Sequence, residues 1–436
     1  RGEPDRRAGE DERHAVQAPG GALEYCDAEV LRLIRRRSLA ALRAEVEPVE
    51  PEDFARFLPE WQGVGSSRRG MDGLLRTVEQ LAGVILPASA LESLVLPSRV
   101  VAYTPALLDE AMATGQVLWQ GHGALAGSDG WVSLHLTETA ALTLHPPADL
   151  GDTPLTAGCE ALHDVLAGGG AYFFQPLTQL ARASGAASGA AGVGSGAAPG
   201  VATRVGYRAA SGTAPGGEEP SGAPTLSESD LLDALWTMVW QGRVSGDTFA
   251  PVRALLGGGR ATHKQRPAGP MASRSGARRR TLGSLGGASR GLPRVGTPPT
   301  AVGRWALLPE PDTDPTVRAY AAAELLLDRY GVLTRGSVVA EDITGGFAAV
   351  YRVLAAAEEA GRVRRGYFVE GLGASQFGAG GAVDRLRQQA RPVGASGGPE
   401  RAASAVVLAA TDPANPWGAA LPWPVRVPDA PRDPSG

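Results

Sequence analysis

Arg362, Arg364 and Arg365 stand just ahead of Tyr367 and Phe368 in the stretch AGRVRRGYFVEGL, residues 360–372. Guanidinium groups neutralise phosphates, and an aromatic ring beside them offers a face on which an unpaired base stacks. That chemistry holds a nucleic-acid strand without reading its sequence. The competing reading packs both aromatics into a small core and leaves the arginines solvated. A second cationic run, with Arg274, Arg278, Arg279 and Arg280 at its centre, lies in a stretch that has no Asp or Glu between Asp247 and Glu310. Such a segment neutralises phosphates without contacting base edges, or is an incidental linker shaped by codon bias. Arg243, which follows an earlier Gly in the related phrase QGRVSGDTFAPV, joins the nucleic-acid candidates.

Other chemistry is sparse. No GxxxxGK[ST] loop occurs, so a P-loop ATP site cannot be built from this chain. HExxH is also missing, and the six histidines are dispersed. His122 and His135 fall on opposite sides of one expected hairpin, where a surface or packed histidine is the commoner outcome than a metal ligand. Neither a metal nor a cofactor site is expected. Cys26 and Cys159 are far apart and lack CxxC spacing, which argues against a disulfide framework. The formal net charge of -4 carries no global sign of a nucleic-acid partner, so that reading rests on local clustering. No apolar run approaches the ~18 residues of a membrane helix. A soluble, cytoplasmic chain without a membrane partner is expected.

The elements that must position these residues repeat. "YTPALLDEAMATG" takes Thr104 as N-cap and Pro105 as first helical residue, ends at Gly115, and leads into a hairpin through Val117–Trp119, GSDG and WVSLHL. "SESDLLDALWTMVWQG" opens with Ser227 and Asp230 in capping-box spacing, ends at Gly242, and precedes a hairpin candidate in RVSGDTFAPV. "TGGFAAVYRVLAAAEEAG" ends at Gly361 before RVRRGYFVEGLGASQF. In each case two helices come first, so each unit has the order of a winged helix. The glycines are left-handed caps that free the chain into the first wing strand. Their irregular spacing, roughly 120 residues, favours separate modules on linkers over a tight solenoid.

The fold class expected is mainly α with small β-hairpins (α+β), as tandem winged-helix domains with a truncated C-terminal β-barrel. Residues 1–49 end a preceding domain in a basic amphipathic helix with Val30, Leu33 and Ile34 inward. Module 1 takes residues 50–150, and module 2 takes 151–255 with a disordered insert at 184–224. An Arg/Gly-rich linker covers 256–303, module 3 covers 304–392, and 393–436 starts the barrel with a strand at Val406–Ala409. All three third helices are acidic or neutral apart from Arg352, which opposes base reading in the major groove.

Phrases such as "YCDAEVLRLIRRRSLAALRAEVEPV", "GRVSGDTFAPVRALLGG", "GGFAAVYRVLAAAEEAGRVRRGYFVEGLGASQF" and "ATDPANPWGAALPWP" resemble the region downstream of the motor in bacterial large helicase-related (Lhr) proteins, over about residues 24 to 424. The resemblance implies a parent superfamily 2 DNA helicase in DNA repair, whose motor domains use ATP and Mg. It also implies winged helices followed by a β-barrel, homo-oligomers, and similarity to glycosylases that unhook crosslinks. This chain lacks the motor domains and the glycosylases' Gln-apolar-Gln or Gln-apolar-Asp motif. Asp412 and Glu370 lie in family-like phrases and are the catalytic candidates if base excision occurs. The leading expectation is a DNA-binding accessory region that holds backbone and single strand. A DNA glycosylase and a structural oligomerisation module are the alternatives.

Overall fold

The computed structural model describes residues 14–17, 23–27, 29–34, 37–38, 47–148, 155–191, 226–257, 296–390 and 405–423. His14–Gln17 (β1) and Leu23–Cys26 (β2) form an antiparallel hairpin. Residues 29–34 are helical, but Val30, Leu33 and Ile34 are about half exposed and do not form the inward face expected of them. Helix α1 is Pro51–Trp61.

Three units then follow the same plan of helix, strand, helix, helix, strand, strand. The first has α2 (Gly70–Gln80), β3 (Leu86–Pro87), a helical turn Ala88–Ala90 extended by the π-turn Leu91–Val95, α3 (Pro105–Ala113), β4 (Val117–Leu125) and β5 (Asp129–Leu136). The second has α4 (Ala157–Ala167), β6 (Tyr172–Phe173), α5 (Phe174–Ala191), α6 (Glu228–Trp240), β7 (Val244–Gly246), an added helix α7 (Ala250–Leu256) and β8 (Arg304–Leu307). The third has α8 (Pro315–Tyr330), β9 (Val332–Leu333), α9 (Arg335–Ala340), α10 (Gly346–Glu359), β10 (Arg364–Gly366) and β11 (Gln376–Gly378), followed by α11 (Ala382–Gln389).

The sheets run β3-β5-β4, β6-β8-β7 and β10-β11-β9, all antiparallel, with the last strand of each unit in the centre. This is winged-helix topology in triplicate. Gly115, Gly242 and Gly361 have φ of 75°, 73° and 74°. Each donates to the carbonyl three residues back, and its successor donates five back, as Gln116 N–H does to Ala111 and Arg362 N–H to Ala357. That is the Schellman closure, which only a residue tolerant of positive φ completes without strain. The Ser227–Asp230 capping box is also formed in both directions.

Non-local pairing departs from the sequence reading in four places. The second hairpin does not close within residues 243–252, because Pro251 lies in α7 and the partner of β7 is β8. Asp247 fastens that return, accepting from the Arg304 N–H at 2.8 Å and from its guanidinium at 2.6 Å. The stretch expected as a linker, 256–303, therefore lies between two paired wing strands, and residues 304–307 belong to the second unit instead of the third. Helix α1, expected in module 1, buries Phe54, Phe57 and Leu58 in one core with Leu326, Val350 and Phe377 of the third unit. Gly331 permits this, since a Cβ there would meet the Trp61 ring at 2.7 Å. Helix α5 continues to Ala191, past the edge expected at 184. Finally, residues 405–409 form no strand and Val406 and Val407 are exposed; no closed barrel occurs among the described residues.

Two compact bodies result: residues 65–318, and residues 1–64 with 319–436. The first two units thus share one body, where modules on linkers were expected.

Candidate nucleic-acid interface

In the third unit the wing strand β10 alternates its side chains. Arg364 points to solvent and its only described ion pair, with Asp384 at 3.6 Å, joins two groups each about 60% exposed. Such a pair contributes little and yields readily to a phosphate. Arg362 is exposed and donates to the Tyr320 hydroxyl at 3.2 Å. Arg365 is different: its guanidinium lies 5.1 Å from the Tyr351 ring centre and 5.9 Å from that of Phe377, and it donates to Ser375 Oγ. It packs the wing more than it offers charge. Arg352 is exposed on α10, the third helix.

The two aromatics differ in burial. Phe368 is buried, with its ring against the α-carbon face of Gly366, so it cannot stack a base in this conformation. Tyr367 is half-buried and its hydroxyl accepts the Gly371 N–H at 2.7 Å. A residue overlooked in the sequence, Gln376, organises the loop: its buried amide accepts from the Phe368 and Val369 N–H groups and donates to the Val369 and Gly373 carbonyls. Nothing in its spacing distinguishes it from an ordinary strand glutamine. Glu370 is exposed at the end of this loop.

Asp412 is only 2% exposed and accepts the Ala414 N–H. It lies near Tyr330, whose hydroxyl donates to Glu341, itself ion-paired with buried Arg329. Burial first, then the Glu341 charge, raise the Tyr330 hydroxyl well above its ordinary range, and Asp412 adds to this. Asp412 is thus packed within the turn of residues 409–415.

In residues 65–318 each third helix packs one of its sides on protein. Helix α6 lies across the wing strands of the first unit, where Gly121 and Gly130 leave room: a Cβ would fall 2.4 Å from Val239 O and 2.3 Å from the Trp240 ring, respectively. Trp119 donates to Gly246 O, Ser245 donates to Trp119 O, and Trp119 meets Phe249 and Trp305 edge-on. Helix α3 is held from the other side. Its Asp109 accepts from Thr248, the Phe249 N–H and Arg253, which also pairs with Glu92. Burial alone would raise the Asp109 carboxyl, but Arg253 and the other donors outweigh it and hold it below the ordinary value. The faces left exposed carry Glu110 on α3 and Asp230 and Asp233 on α6, and neither helix holds a cationic side chain.

His122 and His135 are packed, and on one face instead of two. His122 bonds Ser133 at 2.7 Å, Ser133 bonds His135 at 2.7 Å, and His135 bonds Thr143 at 2.8 Å. Burial, then neighbouring His145, lowers His122 to about 3; burial likewise holds His135 well below its ordinary value. Among the described residues no group of three His, Cys, Asp or Glu is placed to hold a metal. Arg243 begins the second wing, where its carbonyl accepts from the Leu308 N–H; Arg278, Arg279 and Arg280 lie outside the described residues. No helix among the described residues is long and apolar enough to cross a membrane.

Two family models match the chain: large helicase-related protein, winged-helix domain, third of the series, over residues 49–137, and the fourth over residues 312–397. The chain is 47% identical over 408 residues to a Mycolicibacterium smegmatis protein described as Lhr helicase/probable uracil glycosylase, covering 92% of this chain and 23% of that one. It is 38% identical over 414 residues to the Escherichia coli Lhr helicase/uracil glycosylase, covering 91% of this chain and 24% of that one. The chain therefore spans about a quarter of the length of these relatives.

Proposed function

Since this chain belongs to the carboxy-terminal, winged-helix region of the large helicase-related family, we propose that it is the DNA-engaging accessory region of an ATP-dependent helicase acting in repair. It holds backbone and displaced single strand without sequence preference, while motor domains elsewhere in the protein supply ATP hydrolysis. One observation supports this above the others. The third unit carries exposed, weakly paired cations on both its third helix and its wing, Arg352, Arg362 and Arg364, whereas the exposed faces of α3 and α6 carry acids, Glu110 on one and Asp230 and Asp233 on the other. The test is a salt series with a labelled single-stranded oligonucleotide: log Kd rises with log salt, and Arg362→Ala with Arg364→Ala reduces the slope by about 1.4, at about 0.7 per phosphate on a single strand. Affinity indifferent to salt removes the reading.

A second reading is favoured by the names of both relatives, which include uracil glycosylase. Here the chain flips a damaged base and a carboxylate assists cleavage of its N-glycosidic bond. Exposed Glu370, not buried Asp412, is the accessible carboxylate of the two. Incubation with uracil-containing oligonucleotide yields abasic product that Glu370→Gln abolishes; the absence of product from the unaltered chain counts against this reading.

A further inference from the structure

We propose that Tyr320 and Arg362 form a nucleotide site on the third unit, in which the ring stacks an unpaired base of a single strand and the guanidinium holds the phosphate beside it. The site rests on the DNA-binding reading above and adds to it the group that grips a base. The two side chains come from the first helix of the unit and from the turn after its third, and they meet directly. Arg362 Nη1 donates to the Tyr320 hydroxyl at 3.2 Å. Both residues are exposed, Tyr320 at 44%, so a strand reaches them from solvent.

The packing of their neighbours places them. Tyr320 stands one turn of α8 before Ala323, the first buried residue of that helix, so its ring lies at the rim of the core. Arg362 follows Gly361, and its own N–H closes the helix end on Ala357 O at 2.9 Å. Val363 turns inward, which turns Arg362 and Arg364 outward on either side of it. The guanidinium of Arg362 meets Tyr320 at the hydroxyl, and among the described residues no ring or cation lies on the ring's face. Other rings near cations differ. Tyr351 and Phe377 have Arg365 over them, and exposed Phe173 stands opposite Arg304, whose charge is paired with Asp247. An open ring with a cation at its edge suits a single strand, because stacking accepts any base while the charge follows the backbone. Acids bound the site on one side. Exposed Glu324 lies one turn along α8 from Tyr320 and exposed Glu359 ends α10, so the strand's phosphates are directed toward Arg362 and Arg364.

The test measures binding of the full chain to a labelled oligothymidine, to the same strand built of abasic spacers, and to a blunt duplex, each across a salt series. Tyr320→Ala weakens binding to oligothymidine about 5- to 100-fold, the range of one stacked base, and leaves the salt slope unchanged. Tyr320→Phe keeps the ring and retains most of the affinity. Arg362→Ala lowers the slope by about 0.7. The abasic strand and the duplex, which offer no unpaired base, bind Tyr320→Ala and the parent chain alike. An equal loss on either of them overturns the proposal, since the ring would then only position Arg362. A second readout is 2-aminopurine in the oligonucleotide at saturating protein: the parent and Tyr320→Phe quench its fluorescence, and Tyr320→Ala does not. Quenching that survives Tyr320→Ala places the base elsewhere and overturns the site. Full affinity in Tyr320→Ala, when Arg362→Ala with Arg364→Ala still lowers the slope, overturns the site and leaves the DNA reading standing. If neither change matters, both fall.

Discussion

Arg364 and Arg365 are adjacent and identical in type, yet one is exposed and the other lies against rings. Strand alternation sends neighbours to opposite faces, so only the register of β10 decides which is which. Gln376 is the same lesson for a neutral residue. Its amide satisfies four backbone groups, and Gln376→Leu leaves them unpaired in a buried loop; urea denaturation is expected to show a loss of about 3 kcal/mol. His122 makes a pH prediction. Its folded value of about 3 lies below the ordinary 6.5, so between those limits the unfolded chain binds a proton that the folded chain refuses. Stability is complete above pH 6.5 and falls as pH drops through the window, by about 1.4 kcal/mol per pH unit for such a histidine. His122→Asn flattens the pH dependence of the urea midpoint relative to the parent chain.

At the scale of elements, the glycines divide into two kinds. Gly115, Gly242 and Gly361 are needed for positive φ and were legible from their place after a helical run. Gly121 and Gly130 are needed for close approach, which nothing in their neighbourhood announces. Gly130→Ala drives a methyl into the Trp240 ring and is expected to cost about 1–3 kcal/mol, measured by the midpoint of thermal or urea unfolding. Gly127, at φ 81° with open space around it, is the control. Gly127→Ala carries only the backbone strain of about 1 kcal/mol. The second wing shows the limit of local pattern: β7 is three residues long and its partner lies beyond α7 and a long insertion, so no residue near β7 marks its mate.

For the molecule as a whole, the body formed by residues 65–318 is expected to unfold as one unit, since α6 seals one wing and Arg253 joins Glu92 and Asp109 across the same interface. Arg253→Ala leaves two partly buried carboxylates without their cation. A loss of about 2 kcal/mol follows, discounted for partial exposure. Calorimetry checks it: one transition for this body in the parent chain, and its separation into two in the variant. On the DNA-binding reading proposed above, charge reversal on the exposed face of α10, as in Arg352→Glu, weakens oligonucleotide binding more than an equal change on the acidic exposed faces of α3 or α6.

The order of elements, the three helix ends, the capping box and the cationic wing were all determined by the sequence itself, because periodicity, capping and turn chemistry act within a few residues of one another. Tertiary structure alone decided that α1 completes the core of the third unit, that β8 closes the second wing, that Asp412 is buried, and that α6 packs across the wing of the first unit. Those outcomes depend on which surfaces meet across long stretches of chain. A glycine, an arginine or an aspartate carries no local mark of the neighbour it will acquire.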